Sequence, residues 1–208
     1  MSGEVLYSDV KFPQKNKGRK AADQTSTGDG NDVTYADVKF TEAPSAQKQG
    51  VPHCSQEWEL SSNKCYYFSN DTMNWNSSHK NCTSMGGHLV IIETVEEQRF
   101  LSEKAKQILN NTILTMKEEL SHWIGLTDVV KEGDWLWVDN TTLNSSTVYW
   151  ATRQHDGGKE PDNYAKDDKS GEDCVHLLPV KNNTLNIWYD SSCSSHYKRI
   201  CEATPQLV

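Results

Sequence analysis

Six cysteines constrain this 208-residue chain more than any other feature of its sequence. All of them lie at or beyond position 54, at Cys54, Cys65, Cys82, Cys174, Cys193 and Cys201. An even number of cysteines confined to one region predicts a disulfide framework formed in an oxidising compartment. A zinc site is the alternative, but the chain has no C-x-x-C pair and its shorter spacings suit structural zinc poorly. The pattern therefore favours a disulfide-bonded domain.

The N-glycosylation sequons have the same one-sided distribution. Seven N-x-[ST] triplets follow position 53 and none precedes it. They begin at Asn70, Asn76, Asn81, Asn110, Asn140, Asn144 and Asn182. A single sequon arises easily by chance, but seven on one side indicate the surface of a secreted-type domain.

The formal charge is also uneven along the chain. The net charge is −8 at pH 7, and residues 1–53 contribute nothing to it because seven basic and seven acidic residues cancel there. The whole excess therefore belongs to residues 54–208. A domain of this charge repels nucleic acid and attracts cations, so we expect no nucleic-acid partner.

Residues 1–53 are predicted to form a disordered tail. Large apolar side chains are almost absent from residues 13–32, so this stretch cannot offset the entropy cost of ordering. Residues 41–52 have the composition of a linker. One nine-residue phrase appears twice in the tail, as EVLYSDVKF from position 4 and as DVTYADVKF from position 32.

Two helices are predicted in the second part of the chain. The first is expected over residues 74–86, where a glycine pair ends it. The second is expected over residues 94–109, where Thr94 and Glu97 form a capping box. Its apolar face is expected to contain Val95, Leu101, Ala105 and Ile108.

Short apolar runs predict strands between and after these helices. The predicted strands cover residues 64–70, 88–92, 122–126, 134–139, 174–180, 186–190 and 199–203. Residues 151–173 are rich in glycine, aspartate and lysine and have no periodicity, so they predict a long loop.

An ordered set of motifs resembles the C-type lectin-like domain in its long form. The matching pieces are HLV, WIGL at 123–126, WLWVD, EPDN at 160–163, EDCV at 172–175, WYD at 188–190 and CE at 201–202. The resemblance covers residues 54–202. It implies an α+β fold with two helices, two small antiparallel sheets, a long ligand loop and three disulfides. The disordered tail of residues 1–53 would precede this domain, and a C-terminal tail of residues 203–208 would follow it.

The resemblance also selects one pairing among those that six cysteines allow. The long bridge would join the first helix to the last strand, and a second bridge would lie beneath the loop. The third is the additional bridge of the long form. The implied disulfides are Cys82–Cys201, Cys174–Cys193 and Cys54–Cys65.

The whole chain is similar to a type II membrane receptor of the natural-killer or myeloid lectin kind. In that family a cytoplasmic tail is followed by a membrane span, a neck and an extracellular lectin domain at the plasma membrane. The sequence begins without an apolar signal-peptide core, and its longest aliphatic run, Leu89–Ile92, is far shorter than the ~20 residues of a span. We therefore expect a form that lacks the segments encoding span and neck, so that its own location stays open.

Both copies of the repeated phrase fit the pattern [VIL]-x-Y-x-x-[VIL], which resembles the immunoreceptor tyrosine-based inhibitory motif. Their tyrosines are Tyr7 and Tyr35. Phosphorylation adds negative charge that an arginine-lined pocket can hold, and two copies suit a phosphatase with tandem phosphotyrosine-binding modules. A short strand is the alternative, but two near-identical copies in a disordered tail favour signalling.

The acidic residues of the loop indicate calcium as a cofactor, because calcium prefers about six to eight oxygen ligands and several carboxylates. Residues 155–173 contain seven acidic side chains. The resemblance implies a principal site formed by Glu160, Asp162, Glu172 and Asp190, with a cis-proline at Pro161. It implies an auxiliary site formed by Asp128, Glu132, Asn163, Glu172 and Asp173. An acidic, solvated loop without an ion is the alternative.

Two positions depart from the family pattern for sugar binding. Glu160-Pro161-Asp162 is neither the mannose-type Glu-Pro-Asn nor the galactose-type Gln-Pro-Asp, and Tyr189 replaces the asparagine of Trp-Asn-Asp. Both changes remove an amide that donates to a sugar hydroxyl, unless Asn163 or Lys159 takes over. The predicted ligand contacts are Glu160, Asp162, Asn163, Glu172, Tyr189 and Asp190.

These features predict a calcium-dependent, carbohydrate-binding immune receptor with an inhibitory tail. The expected partners are a carbohydrate or glycoprotein, tandem phosphotyrosine-binding phosphatases and, as the candidate assembly, a second copy in a homodimer. No G-x-S-x-G, H-E-x-x-H or P-loop pattern is present, so an enzyme is not expected. Two alternatives stay open: a domain that binds a protein ligand without calcium, and a non-signalling form without a span that remains in the cytosol.

Overall fold

A computed structural model describes residues 50–111, 120–153, 156–165, 169 and 171–208. The predicted disordered tail up to position 49, with Tyr7 and Tyr35, lies outside these residues. Ten strands and two helices have both of their bounds within the described residues. They are β1 Pro52–His53, β2 Glu59–Ser61, β3 Lys64–Phe68, α1 Trp75–Ser84, β4 His88–Leu89, α2 Val95–Asn111, β5 His122–Thr127, β6 Leu136–Trp137, β7 Cys174–Leu177, β8 Trp188–Ser191, β9 Lys198–Ala203 and β10 Gln206–Leu207.

Both helices begin where side-chain oxygens accept the free N–H groups of the first turn. Asn74 caps α1, and its side chain accepts from Ser77 N at 2.8 Å. In α2, Thr94 Oγ1 accepts from Glu97 N at 3.2 Å, and the Glu97 carboxylate accepts from Glu93 N at 3.0 Å. The predicted capping pair is therefore present. In a standard capping box the Glu97 carboxylate would accept from Thr94 N, whereas here it accepts from the N–H of Glu93, the residue before the cap.

Only one face of α2 contributes to the core. Leu101 and Ala105 are fully buried and Ile108 is half-buried, whereas Val95 is 40% exposed. The predicted apolar face is therefore correct except at Val95, which lies in the first turn and turns toward solvent. In the part of the chain that the structure describes, α2 and α1 are both too short or too polar to cross a lipid bilayer.

Eight of the ten strands form one hydrogen-bonded sheet, in the order β2-β3-β9-β5-β7-β8, with β4 on β9 and β6 on β5. Strands β1 and β10 form a separate pair. Neighbouring strands are antiparallel except β5 and β9, which run parallel with His122 opposite Lys198 and Trp123 opposite Arg199. The resemblance implies two small antiparallel sheets. The structure confirms this α+β architecture and adds the parallel pairing, which joins the strands around β9 to those around β7.

Tryptophan 188 fixes β8 on the core. Its side chain is fully buried and its ring packs edge-on against Trp137, Tyr149 and Trp150. The indole Nε1–H donates to Gln98 Oε1 at 3.1 Å, so the polar atom of this large side chain is satisfied. Since alternate residues of a strand point to the same face, Asp190, two positions after Trp188, is also directed inward.

Five of the seven predicted strands are shorter in the structure, and two of them keep only two residues each. Residues 88–92 are a strand only at His88–Leu89, because Val90 bonds irregularly through its N–H to Ile200 O and through its carbonyl to Gly125 N. Residues 134–139 are a strand only at Leu136–Trp137, and the chain turns shortly afterwards. Both apolar runs contribute buried side chains, but burial alone does not impose strand geometry.

The two ends of the described domain pair with each other. Strand β1 pairs antiparallel with β10, and Val51 N donates to Val208 O at 2.9 Å. The sequence predicts a linker over residues 41–52 and a C-terminal tail over residues 203–208, and the paired strands lie at the ends of these two segments. The pairing satisfies backbone groups of segments that are far apart in sequence, and local composition contains no signal for such a contact.

Three disulfides join these elements, and they are Cys54–Cys65, Cys82–Cys201 and Cys174–Cys193. This is the pairing that the resemblance implies. The Cys82–Cys201 bridge ties α1 to β9 across 119 residues, and both cysteines are fully buried. The Cys174–Cys193 bridge ties the start of β7 to the segment that follows β8.

Removal of the long bridge tests the disulfide framework. We expect the double substitution Cys82→Ala and Cys201→Ala to lower the free energy of unfolding of the full chain by about 2–5 kcal/mol, because the bridge constrains a long loop in the unfolded state. Removal of Cys54–Cys65, which spans 11 residues, is the matched control and should cost less. Denaturant unfolding followed by tryptophan fluorescence measures both losses, and equal losses would contradict the expectation.

Candidate functional site

The acidic loop begins with a short segment that leaves the core and returns to it. We call this segment the arm, and its described residues are 152, 153 and 156–159. Thr152 and Lys159 pair in an antiparallel bridge that forms the arm. Glu160 N then donates to the carbonyl of the buried Ala151 at 3.0 Å, which brings the chain back beside β8. The peptide bond between Glu160 and Pro161 is cis, as the resemblance implies. The arm therefore places Glu160 next to the end of β8.

Three carboxylates converge at this point, and we call Glu160, Asp162 and Asp190 the principal cluster. One carboxylate oxygen of each lies within 4.8 Å of the other two. Glu160 and Asp190 are buried, whereas Asp162 is exposed. The Asp190 carboxylate accepts from the backbone N–H groups of Asp162 at 3.1 Å and Asn163 at 2.8 Å. Asp190 therefore holds the backbone that carries one of its own partners.

The principal cluster concentrates negative charge where little water is present. Burial, a hydrogen bond with Asp190 and the charges of Asp190 and Asp162 raise the pKa of Glu160, and the positive charge of Arg153 opposes the rise. Burial and the Glu160 charge also raise the pKa of the Tyr189 phenol. A cation bound among these carboxylates would favour their ionised forms.

Arg153 supplies a positive charge that the sequence does not predict for this site. Its Nη1 lies 3.4 Å from Glu160 and forms an ion pair with Asp162, and its Nε lies 3.1 Å from Asp156. Asp156 therefore pairs with Arg153 and does not belong to the principal cluster. The only local signal is a basic residue three positions before an aspartate in a loop without periodicity. The contact with Glu160 depends on the return of the arm, which is a tertiary feature.

A second group, the auxiliary cluster, contains Asp128, Glu132 and Asp173, whose carboxylate oxygens lie within 4.8 Å of one another. Asp128 is only 2% exposed. Its Oδ2 accepts from Gly133 N at 2.8 Å, and its buried Oδ1 has no hydrogen-bond partner among the described residues. Burial, together with the charges of Glu132 and Asp173, raises the pKa of Asp128 to about 6, against the effect of the Gly133 hydrogen bond.

Asn163 and Glu172 lie between the two clusters. Asn163 Nδ2 donates to Glu132 Oε2 at 2.6 Å, and its Oδ1 accepts from Glu172 N at 2.8 Å. The Glu172 carboxylate accepts from Tyr164 N at 3.1 Å. Gly171 permits this approach, because its φ is +90° and a Cβ there would lie 2.1 Å from Asn163 Oδ1. Asn163 therefore links the two clusters, since its side chain donates to Glu132 and its backbone N–H donates to Asp190. Glu172, predicted for both sites, contacts Asn163 and is a member of neither group of converging carboxylates.

Tyr189 forms a wall of the cleft above the principal cluster. The cleft has a volume of about 300 Å³, and Arg153, Glu160 and Asp190 also line it. The Tyr189 ring stacks on His176 with ring centroids 5.7 Å apart. The position at which the family pattern has an asparagine amide is therefore occupied by a half-buried phenol.

The remaining predicted positions lie at the surface or outside the described residues. Asp167 and Asp168 of the acidic loop lie outside them. Asn81 is half-buried, and its Oδ1 accepts from Arg199 Nε at 2.8 Å. The other sequon asparagines are exposed, and they are Asn70, Asn76, Asn110, Asn140, Asn144 and Asn182.

The residues of both clusters fit calcium. Each cluster offers three carboxylates, which are the hard oxygen ligands that calcium prefers. At the auxiliary cluster, the buried Asp128 Oδ1 has no hydrogen-bond partner among the described residues, so this oxygen could serve as a ligand to a cation. At the principal cluster, Arg153 already contacts two of the three carboxylates, so a metal ion would compete with it.

Comparisons with known proteins agree with this architecture. The profile of the family described as "Lectin C-type domain" matches residues 71–203. Human "C-type lectin domain family 4 member E" is 42% identical over 149 residues, which are 72% of this chain and 58% of that protein. The trimeric structure of the Kupffer cell C-type lectin receptor Clec4f is 35% identical with a TM-score of 0.54, over 72% of this chain and 83% of that one. The C-type lectin domain of murine dendritic cell inhibitory receptor 2, solved in complex with an N-glycan, is 26% identical with a TM-score of 0.54, over 73% of this chain and 98% of that one.

The fold is that of a C-type lectin domain. The chain belongs to the lectin C-type domain family and is similar to receptors of C-type lectin domain family 4. The relatives named above are all described as C-type lectins. The matched region spans 58% of the length of the human relative, so it corresponds to part of that protein.

The buried charge of Asp128 leads to a pH-dependent prediction for the calcium-free protein. A carboxyl whose pKa is raised on folding stabilises the fold below its unfolded pKa, and this contribution is lost as pH rises through about 6. We therefore expect Asp128→Asn in excess chelator to raise the free energy of unfolding by about 1–2 kcal/mol at pH 7.5 and by little near pH 4. Denaturant unfolding of the full chain at both pH values measures the gain.

The exposed Asp134, in the same turn, supplies the matched control for this experiment. Asp134→Asn removes one negative charge without removing a buried one, so we expect little change at either pH. A gain from Asp128→Asn that is the same at both pH values would contradict the assignment of a raised pKa.

Proposed function

We propose that this chain is the calcium-dependent, carbohydrate-binding part of an immune receptor. The observation that carries the proposal is the pair of carboxylate clusters, which bring three carboxylates of the acidic loop together with those of Asp128, Glu132 and Asp190. Asn163 joins the clusters, because its side chain donates to Glu132 and its backbone N–H donates to Asp190. The resemblance assigns three acidic residues to the principal site alone and three to the auxiliary site alone. All six are members of the corresponding clusters. Glu172, which the resemblance assigns to both, lies between them.

Each cluster would hold one calcium ion in this proposal. Glu160, Asp162 and Asp190 would bind the principal ion, with Glu172 completing the set. The auxiliary ion would be held by Asp128, Glu132 and Asp173, with Asn163 and Glu172. Bound calcium supplies a Lewis-acidic centre to which sugar hydroxyls coordinate.

The surrounding side chains restrict the sugars that such a site accepts. A coordinated hydroxyl still needs a hydrogen-bond acceptor and a donor close by. Glu160 and Asp162 are acceptors, and Tyr189 has a phenol where the mannose-type pattern has a donating amide. We therefore propose a glycan whose hydroxyl arrangement differs from that of ordinary mannose-type ligands.

The proposed partner is a glycan or glycoprotein outside the cell. One relative of this domain was solved in complex with an N-glycan, which supports this class of ligand. For the assembly we propose a homodimer, and a trimer is the competing arrangement because the Clec4f structure is trimeric. Analytical ultracentrifugation of the oxidised full chain distinguishes the two.

The tail is proposed to signal from the cytosolic side of the plasma membrane. Tyr7 and Tyr35 would bind, once phosphorylated, the two modules of a tandem phosphotyrosine-binding phosphatase. The support for this role is the repetition of one motif within a short segment of suitable composition. Glycosylation of the lectin domain on the cell would place that domain on the opposite side of the membrane.

One observation favours a second function, which is recognition of a protein ligand without calcium. Arg153 already places a positive charge among the principal carboxylates. A loop with an internal cation can remain on the sheet without a metal ion, and its surface is then available to a protein partner.

Calcium titration separates these two functions. We expect millimolar calcium to raise the thermal unfolding midpoint of the oxidised full chain relative to excess chelator, because an ion present at 100 times its dissociation constant stabilises the fold by about 2.7 kcal/mol. Glu172→Ala should reduce this rise most, since Glu172 lies between both clusters. Glu103→Ala, an exposed position on α2, is the matched control and should keep the rise. Identical midpoints with calcium and with chelator would exclude the calcium mechanism and support the calcium-independent function.

The tail is tested by two conservative substitutions in a membrane-anchored fusion that carries residues 1–53. We expect Tyr7→Phe or Tyr35→Phe alone to weaken phosphatase recruitment by roughly tenfold or more, because each removes the advantage of paired binding. Co-precipitation of the phosphatase after kinase activation measures recruitment. Unchanged recruitment by the double variant would show that these motifs do not act as proposed.

A further inference from the structure

Arg153 is built into the arm at the mouth of the cleft. Its backbone N–H donates to Gly158 O at 2.8 Å, and its carbonyl accepts from Gly157 N at 3.0 Å. Both backbone groups are therefore paired within the arm. This pairing fixes the point from which the side chain extends toward the principal cluster.

The guanidinium contacts three carboxylates at once. Its Nε lies 3.1 Å from Asp156, its Nη1 lies 3.4 Å from Glu160, and the same Nη1 pairs with Asp162. The Arg153 side chain is only 22% exposed. A guanidinium has donors only and keeps its charge at every physiological pH. It therefore satisfies oxygens that would otherwise repel one another.

Gly158 leaves the space that this guanidinium occupies. A Cβ at position 158 would lie 2.0 Å from Nη2 and 2.7 Å from Cζ of Arg153. The backbone at Gly158 is not in the left-handed region, so conformational freedom does not explain the glycine. A side chain at position 158 would have to displace the guanidinium, which is the flexible end of Arg153, so the glycine leaves room for the position that the guanidinium occupies.

The guanidinium and a metal ion cannot occupy the principal cluster together. Arg153 contacts Glu160 and Asp162, which are two of the three carboxylates whose oxygens converge within 4.8 Å. A divalent ion on those oxygens would lie next to a second positive charge. Two positive charges on neighbouring oxygens repel strongly where water is largely excluded, and Glu160 is buried.

We propose that Arg153 is an internal counter-ion that calcium must displace from the principal cluster. In the calcium-free protein its guanidinium neutralises Glu160 and Asp162 and holds the loop beside β8. When calcium binds, the side chain moves out to solvent, so Arg153 sets the calcium concentration at which the principal cluster is filled. The counter-ion role rests on the contacts alone, whereas the displacement rests on the proposed calcium-dependent function.

The test uses the oxidised full chain and the substitution Arg153→Gln, which keeps polar hydrogen bonding and removes the charge. The thermal midpoint in excess chelator and the calcium dissociation constant by calorimetry are measured for both proteins. We expect the substitution to lower the midpoint in chelator by about 2–4 °C, the shift that follows from losing one modest contact in a chain of this size. We expect it to lower the calcium dissociation constant of the principal cluster by roughly tenfold, which corresponds to about 1.4 kcal/mol.

Three further variants sharpen the measurement. Asp128→Asn, introduced into both proteins, weakens the auxiliary cluster so that the titration reports the principal one. Arg99→Gln removes an exposed arginine on α2 and is the matched control, with no change expected in either quantity. Arg153→Lys keeps the charge but not the planar fork, and we expect values between those of wild type and Arg153→Gln.

The two quantities move in opposite directions if Arg153 is a counter-ion that calcium displaces. An arginine that only supports the loop would lower both the stability in chelator and the affinity for calcium, and that result would overturn the proposal. Unchanged values for Arg153→Gln would overturn it as well. If neither protein binds calcium, the proposed calcium-dependent function fails, and the midpoint in chelator alone decides the counter-ion role.

Discussion

The acidic loop depends on the buried carboxylate of Asp190. This residue lies on β8, two positions after Trp188, whose ring is enclosed by the core and whose indole N–H is bonded to Gln98. From this fixed position it accepts the backbone N–H groups of Asp162 and Asn163. Hydrogen bonds to an ionised acceptor are stronger than those between neutral groups. The loop is thereby aligned with the sheet, although it buries few apolar side chains of its own.

This anchoring gathers carboxylates that repel one another, so the loop needs positive charge. Arg153 provides it from within the arm, and calcium provides it from solvent in the function proposed above. The two cations differ in geometry, because a guanidinium bridges oxygens through planar donors, whereas calcium collects oxygens around a centre. The same carboxylates can therefore serve two arrangements of the loop, one for each cation.

The framework beneath the loop does not depend on these charges. Strand β9 pairs with β3, β4 and β5, and its Cys201 is bonded to Cys82 of α1. The pairing of β1 with β10 joins the two ends of the described domain. A change of cation at the principal cluster should therefore alter the loop and the arm while the sheet, the helices and the disulfides stay as they are.

The sequence by itself determined the features that depend on local pattern or on motif order. The capping pair Thr94–Glu97 follows from a four-residue signal, and the family resemblance assigned the disulfide pairs and all six carboxylates of the two clusters. Only the tertiary structure decided the β1–β10 pairing, the shortening of the strands predicted at 88–92 and 134–139, and the position of Arg153. Each of these depends on backbone groups or charges from segments that are separated along the chain. Arg153 reaches Glu160 only because the arm folds back past Gly158, and neither residue carries a local signal for that contact.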